Sequence, residues 1–162
     1  MRYKTLGTTG EKLSALTLGT WGIGGTGWGE TSQSHSLAAI DRMLELGVNV
    51  VDTAPVYGFG NPGEQDFGFG CAELLLAKAL KGRRDKVFLV TKCGLNYDRS
   101  KGPSSAYRSM SAQEIREGCE NSLRRLGTDY LDLLLVHWPD GKTPLEEVAQ
   151  AMEDLILSLI HI

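Results

Sequence analysis

Four side chains capable of acid, base or hydrogen-bonding chemistry stand at or just after the ends of short apolar runs. They are Asp52, Tyr57, Lys92 and His137. A phenol has a pKa of about 10, and a neighbouring cation stabilises its ionised form. Lys92 could supply that cation, Asp52 could keep the ammonium charged and oriented, and His137 could hydrogen-bond a substrate oxygen. Together they would place a general acid beside a group that stabilises charge on oxygen.

Each of these residues also has an ordinary structural interpretation. Asp52 could cap a turn and Tyr57 could be a packed aromatic. Lys92 could be a solvated strand end, and His137 could be a buried histidine with satisfied hydrogen bonds. Three consecutive strand ends carry such residues, and this coincidence favours an active site over four unrelated positions.

The apolar runs predict four buried strands, because each is short and rich in Val or Leu. They are LTLGT (16–20), VNVVD (48–52), VFLVTK (87–92) and LDLLLVH (131–137). Helical patterns follow them, so strand and helix alternate four times, which predicts a parallel α/β sheet with right-handed crossovers. A doubly wound sheet and a (β/α)8 barrel both fit this alternation.

The helical patterns carry recognisable start and stop signals. The first helix is predicted to end at Gly47, and the second covers residues 72–80. The third opens with the capping box S-A-Q-E (111–114) and ends at Gly127. The fourth opens with T-P-L-E (143–146), which predicts Thr143 as the N-cap.

A glycine-rich segment, GIGGTG (22–27), matches the G-x-G-x-x-G pattern of dinucleotide-binding loops. That motif works only where a helix opens within the glycines, and here WGETSQSHS precedes any helical periodicity. The acid Asp52 also follows Gly22 by 30 positions, later than the usual offset of about 20. A glycine-rich loop over a ligand pocket is the better interpretation.

Composition narrows the function classes. With 17 basic and 20 acidic residues and a formal net charge of -3, the chain has no basic excess for nucleic acid or membranes. Its three cysteines are far apart and form no C-x-x-C pair, so we expect no disulfide framework and no metal site. The absence of a signal-peptide or membrane-spanning run predicts a cytoplasmic protein.

Several ordered segments resemble the signature segments of the aldo-keto reductases. They are DTAPVYG (52–58), VTKCG (90–94) and LLLVHWPD (133–140), and residues 3–14 resemble the β-hairpin that leads the family's barrel. The resemblance runs from Arg2 to about Ile156 and is greatest to bacterial stress-related and sugar- or inositol-associated members.

The resemblance implies a (β/α)8 barrel and the NADPH-dependent reduction of aldehydes or ketones to alcohols. Tyr57 would protonate the carbonyl oxygen, with Lys92 and Asp52 tuning the phenol and His137 orienting the carbonyl. Asp52 would also lie near the cofactor ribose. Thr20 and Trp21 would lie near the nicotinamide, and the predicted pocket walls are Trp21, Trp28 and Trp138.

The sequence departs from the family pattern in two places. The loop NPGEQDFGFG (61–70) separates the tyrosine segment from the next helix, so we expect an enlarged loop beside the pocket. We also expect residues 1–156 to be the first half of a barrel, cut within the fourth helix. The final residues LSLIHI (157–162) resemble a translated sequencing adapter and are expected to be a non-native tail.

Three functional hypotheses remain at this point. The chain could be part of a working reductase. It could instead be part of a nicotinamide-binding regulatory subunit related to potassium-channel β-subunits, or it could be a fragment without function. Most family contacts to the adenosine phosphate and the nicotinamide amide come from the second half of the barrel, so this chain alone is expected to be inactive. Its outer strands are expected to leave open edges through which it self-associates.

Overall fold

The computed structural model describes residues 1–25, 27–29, 32–60 and 65–158. Within these ranges the chain forms eight strands: β1 (Tyr3–Thr5), β2 (Lys12–Ser14), β3 (Thr17–Gly19), β4 (Val50–Asp52), β5 (Phe88–Cys93), β6 (Leu95–Asn96), β7 (Tyr107–Arg108) and β8 (Leu133–Val136). It also forms four α-helices: α1 (Gln33–Glu45), α2 (Cys71–Ala79), α3 (Ala112–Leu126) and α4 (Leu145–Leu157).

The four predicted strands form one parallel sheet in the order β3-β4-β5-β8. Three of the observed strands are shorter than the apolar runs that predicted them, and β5 has the predicted length but lies one residue further along the chain. Their spatial order follows the chain order without reversal, whereas a doubly wound sheet needs a reversal of strand order. The described chain therefore consists of four consecutive βα units of a (β/α)8 barrel, as predicted.

The helices bury their apolar stripes against the sheet in one continuous core. Ile40 of α1, Leu76 of α2, Ile115 of α3 and Leu155 of α4 are buried in it together with Leu89 of the central strand β5. Successive helices also contact one another, from α1 to α2, α2 to α3 and α3 to α4. This arrangement matches the outer helical ring of a barrel.

Two short antiparallel hairpins flank the sheet. The predicted leading hairpin is confirmed, since β1 pairs with β2 from Tyr3 opposite Ser14 to Thr5 opposite Lys12. A second hairpin, β6 with β7, was not predicted. Its strands are two residues long, which is too short to show a period-2 pattern.

The start of α3 follows the prediction in part. Ser111 is the N-cap, and its hydroxyl accepts a hydrogen bond from the Glu114 N–H at 3.4 Å. The carboxylate of Glu114 turns instead to the second hairpin, where it accepts hydrogen bonds from Asn96 and from the Tyr107 hydroxyl. Gly127 ends the helix in the left-handed conformation (φ 65°), as predicted.

The predicted N-cap of α4 is wrong. Pro144 occupies the N-cap position without a side-chain hydrogen bond, and the Thr143 hydroxyl donates to Asp140 at 2.6 Å. The Asp140 carboxylate also accepts backbone N–H groups of Met110, Lys142 and Thr143. The hydroxyl and these N–H groups stabilise the charged form, so the pKa of Asp140 is well below its usual value. This loop is organised by a carboxylate that the T-P-L-E pattern does not include.

Three predicted segments fall partly outside the described residues. Of the glycine-rich segment 22–27, Thr26 is outside the description. Of the enlarged loop, residues 61–64 are outside the description, and Gln65–Gly68 form a 3₁₀ turn with positive φ at Asp66 and Phe67. Of the expected tail, residues 159–162 are outside it, and Ser158 is the C-cap of α4. In the described ranges, no helix combines the length and apolar character that crossing a membrane requires.

Candidate active site

Lys92 brings Asp52 and Tyr57 together at the carboxyl end of the sheet. Asp52 pairs in register with Val90, and Lys92 lies two residues further along β5, on the same face. The Lys92 Nζ is 2.8 Å from both carboxylate oxygens of Asp52 and 3.0 Å from the Tyr57 hydroxyl oxygen. It also donates to the Thr53 carbonyl at 2.9 Å. All three ammonium protons are thus directed to protein acceptors.

The burial of this cluster makes its charges interdependent. The Lys92 side chain is 11% exposed and that of Asp52 is 30% exposed. A buried ammonium is costly unless a carboxylate compensates it, and Asp52 provides that compensation. The Tyr57 hydroxyl accepts from Lys92 and donates to the Asp52 Oδ1 at 3.2 Å. The phenol is therefore held between a cation and an acceptor for its proton.

His137 lies opposite the phenol on the neighbouring strand end. Its backbone N–H donates to the Cys93 carbonyl at 2.9 Å, which extends the pairing of β8 with β5. Its ring is 6.0 Å from the Tyr57 ring, measured between centroids. Burial lowers the pKa of His137, the positive charge of Lys92 lowers it further, and Asp52 opposes the shift. The lowered pKa favours the neutral imidazole, which keeps one N–H to donate.

Thr20 is fully buried and hydrogen-bonds to the backbone of Asp52. Its hydroxyl and its backbone N–H both donate to the Asp52 carbonyl at 3.0 Å. This pair of bonds continues the β3–β4 pairing past Gly19 and fixes the backbone of Asp52. The predicted cofactor contact of the Thr20 side chain stays a prediction, while the described structure gives Thr20 a supporting role.

The three predicted pocket tryptophans form ring contacts with Tyr57, with His137 or with each other. Trp21 stacks on Tyr57 with ring centroids 6.1 Å apart and an interplanar angle of 19°, and Trp28 meets Trp21 edge to face at 5.5 Å. Trp138 stacks on His137 with ring centroids 4.0 Å apart and an interplanar angle of 3°. All three indoles are exposed, so they are available to line a ligand site.

Sequence reasoning missed an aromatic cluster on the enlarged loop. Phe59 and Phe69 pack on Tyr97 at centroid distances of 4.7 and 5.1 Å, and Phe67 lies at 6.5 Å. The Tyr97 hydroxyl donates to the Asp66 carbonyl. The only signal in the sequence is the repeated F-G in residues 59–60, 67–68 and 69–70, which does not identify the partner on the other loop.

Sequence reasoning also missed a buried ion pair behind Lys92. Glu73 of α2 is fully buried, accepts from the Thr91 hydroxyl at 2.7 Å and pairs with the Arg125 Nε at 2.5 Å. Thr91 directly precedes Lys92 on β5. The pair therefore ties α2 and α3 to the strand that carries the lysine.

The sequence profile of the Aldo/keto reductase family matches residues 15–158. The chain belongs to the aldo/keto reductase family. It is 41% identical over 157 residues to the aldo-keto reductase YhdN of Bacillus subtilis, covering 96% of this chain and 43% of that protein. It is 35% identical over 167 residues to the NADH-specific methylglyoxal reductase of Escherichia coli, covering 96% and 48%.

A solved structure agrees with these sequence relatives. The aldo-keto reductase AKR11C1 from Bacillus halodurans, in its holo form, superposes with a TM-score of 0.82 at 32% identity and covers 99% of this chain and 48% of its own. The chain thus spans about half the length of the relatives that it matches. The family and the barrel fold inferred from the signature segments are confirmed.

The surroundings of His137 predict the pH at which its imidazole titrates. Its NMR midpoint should lie below the usual 6.5, because burial and Lys92 both disfavour the imidazolium. Lys92→Met should raise the midpoint, since it removes the cation and leaves the Asp52 charge unbalanced. In the unmodified chain the lowered pKa means that the unfolded state binds more protons than the folded state as the pH falls through 6.5, so the contribution of His137 to the free energy of unfolding falls as the pH drops.

Titration followed by ¹H–¹⁵N NMR would measure the midpoint, with His137→Gln assigning the signal. A midpoint at or above 6.5 in the unmodified chain, or one that Lys92→Met does not raise, would contradict the described surroundings of the ring.

Proposed function

We propose that the protein carrying this chain reduces small aldehydes or ketones to alcohols with a nicotinamide cofactor, and that Tyr57 is the proton donor. One observation supports this most: the Lys92 Nζ lies 3.0 Å from the Tyr57 hydroxyl oxygen while Asp52 balances its charge. Members of the aldo/keto reductase family reduce carbonyls, and this chain supplies a phenol arranged to donate a proton to one.

The proposed chemistry of the chain's own residues is a single proton transfer. The Tyr57 hydroxyl turns its proton from Asp52 to the carbonyl oxygen of the substrate, and the phenolate that remains is stabilised by the Lys92 ammonium. The neutral His137 imidazole donates an N–H to the same carbonyl oxygen and orients it. Water then restores the proton to Tyr57 before the next turnover.

The residues around the phenol fit a nicotinamide cofactor. Trp21 presents an exposed indole beside Tyr57, and the Asp52 carboxylate is partly exposed for a ribose hydroxyl. A bound nicotinamide supplies the hydride that the carbonyl carbon accepts. We propose NADPH on the strength of the family resemblance. Because the name of the Escherichia coli relative specifies NADH, the assays below compare both cofactors.

We propose a small carbonyl compound as the substrate, with Trp21, Trp28 and Trp138 as pocket walls. Apolar walls with few polar groups suit a small ligand that is oriented by its carbonyl oxygen. Methylglyoxal is a suitable probe, given the name of the Escherichia coli relative. We place the reaction in the reducing cytoplasm, in keeping with three cysteines that lie far apart and form no C-x-x-C pair.

Replacing Tyr57 by Phe should lower kcat about 100-fold or more, because it removes the proton donor. The dissociation constant of NADPH should change by less than about threefold, because little binding surface is lost. The test protein is a full-length chimera that joins residues 1–156 to the C-terminal part of the Bacillus subtilis relative. Steady-state kinetics with methylglyoxal and each cofactor provide the measurement.

Two controls accompany this substitution. Tyr3→Phe removes a hydroxyl from the remote leading hairpin and should leave kcat unchanged. The 162-residue chain alone should show no turnover, because it spans less than half of its sequence relatives. A Tyr57→Phe chimera with full turnover would refute the assignment, and an unmodified chimera that binds NADPH without turnover would favour the regulatory-subunit hypothesis.

We also propose that the 162-residue chain self-associates through the outer strands of its sheet. In the described residues β3 and β8 each pair on one side only, and Leu133 and Leu135 of β8 expose more than a third of their surface. Unpaired strand edges with apolar side chains pair readily with another chain.

Light scattering coupled to size-exclusion chromatography should therefore give a dimer or larger species. Leu135→Lys should shift the distribution towards the monomer, because it places a charge on the apolar face of the edge strand. Gln150→Lys, on the exposed face of α4, should not. A monomer that unfolds cooperatively would contradict the proposal.

A further inference from the structure

The turn residues Gly22–Gly24 have no role in the chemistry proposed above, and their contacts suggest one. Gly22–Gly24 form a 3₁₀ turn directly after Trp21. The Gly24 N–H donates to the carbonyls of Thr20 and Trp21 at 3.2 and 3.1 Å. The turn is therefore fixed to the end of β3 and carries the indole that stacks on Tyr57.

Gly24 contacts the backbone of Tyr57 without any side chain between them. A Cβ at position 24 would lie 2.5 Å from the Gly58 nitrogen and 2.7 Å from the Tyr57 carbonyl carbon. Both distances are far below van der Waals contact, and backbone atoms cannot give way as the end of a side chain can. Gly22, in the same turn, differs: a Cβ there would meet no atom within 4 Å.

The same contact continues through Gly58 to the start of α2. Gly58 has a φ of +97°, and a Cβ there would lie 2.1 Å from the Cys71 Sγ and 2.8 Å from the Gly24 carbonyl oxygen. The Cys71 thiol donates to the Tyr57 carbonyl at 3.2 Å. Three segments thus meet at the backbone of Tyr57: the turn after β3, the loop after β4 and the first residue of α2.

We propose that Gly24, Gly58 and Cys71 are positioning residues that set the location of the Tyr57 phenol. This inference rests on the proposed function, because it takes Tyr57 to be the proton donor. A backbone shift of about 1 Å at Tyr57 would move its oxygen out of hydrogen-bonding range of Lys92, and misplacement of this size can cost a catalytic step about 100-fold.

This role accounts for one glycine of the pattern that resembles a dinucleotide-binding loop, Gly24, whereas a Cβ at Gly22 would meet no atom within 4 Å. Both structures need glycine where a backbone must approach another group closely. In a dinucleotide-binding loop that group is a pyrophosphate, whereas here it is the peptide between Tyr57 and Gly58. The two loops therefore share a close approach at a glycine, but they approach different groups.

Gly24→Ala and the matched control Gly22→Ala test the inference in the full-length chimera. Gly24→Ala should lower kcat about 10- to 100-fold, and Gly22→Ala should change it less than twofold. If Gly24 acts through the phenol, Gly24→Ala should cost less than about threefold when added to Tyr57→Phe. A loss of the same size in both backgrounds would overturn the positioning role.

A second readout does not depend on catalysis or on the chimera. Cys93 and Cys119 are buried, and burial raises the pKa of their thiols to about 12 and about 11. A thiol reagent at pH 8 should therefore label Cys71 first. In the 162-residue chain Gly24→Ala should speed this labelling at least fivefold by separating the segments around the thiol, and Gly22→Ala should not.

The outcomes separate the two proposals. Unchanged labelling in Gly24→Ala would show that the contact is absent and would overturn the inference whatever the kinetics. Faster labelling with an unchanged kcat would show a contact without a positioning role, which also overturns it. An active Tyr57→Phe single variant would instead remove the proposed function and the positioning role that rests on it, while the labelling result still reports the contact.

Discussion

The rest of the site depends on the hydrogen bonds and the charge pairing of the Lys92 ammonium. Its three protons are taken by the Asp52 carboxylate, the Thr53 carbonyl and the Tyr57 hydroxyl. A charge this little exposed persists only where its partner is fixed. The register of β4 and β5 fixes that partner, because it places Asp52 and Lys92 on the same face. Thr20 adds to this by holding the Asp52 backbone.

The helices behind the sheet and the loops at its carboxyl end also help to hold Lys92 and Tyr57 in place. On the helical side, Glu73 joins Thr91 to Arg125 and so connects β5 to α2 and α3. On the open side, the close contact of Gly24 with the Tyr57–Gly58 peptide fixes the phenol. A phenol acts as a proton donor only when its oxygen, its cation and its substrate are held together. The fold supplies the first two from separate segments of the chain.

Strand ends and signature segments were sufficient to predict the barrel units, the leading hairpin and the residues that meet at the site. The strands and the meeting of their carboxyl ends follow from local patterns, since apolar runs form strands and parallel strands align these ends. The barrel and the leading hairpin were predicted from the resemblance to the family. Other features depend on distant partners. Thr143 bonds to Asp140 instead of capping α4, and Phe59 packs on Tyr97 from another loop. The role of Gly24 was hidden because its partner peptide lies more than 30 residues away in sequence.

The central claim is that Lys92 and Asp52 stabilise each other at the phenol, and a double-mutant cycle tests it most directly. Urea unfolding of the full-length chimera would compare Lys92→Met, Asp52→Asn and the double variant. Because Lys92 is buried and Asp52 is only partly exposed, each single substitution leaves an unmatched charge or a misplaced donor. The predicted coupling is about 1–3 kcal/mol, with the double variant less destabilised than the sum of the singles. Effects that add to within about 0.5 kcal/mol would contradict the account.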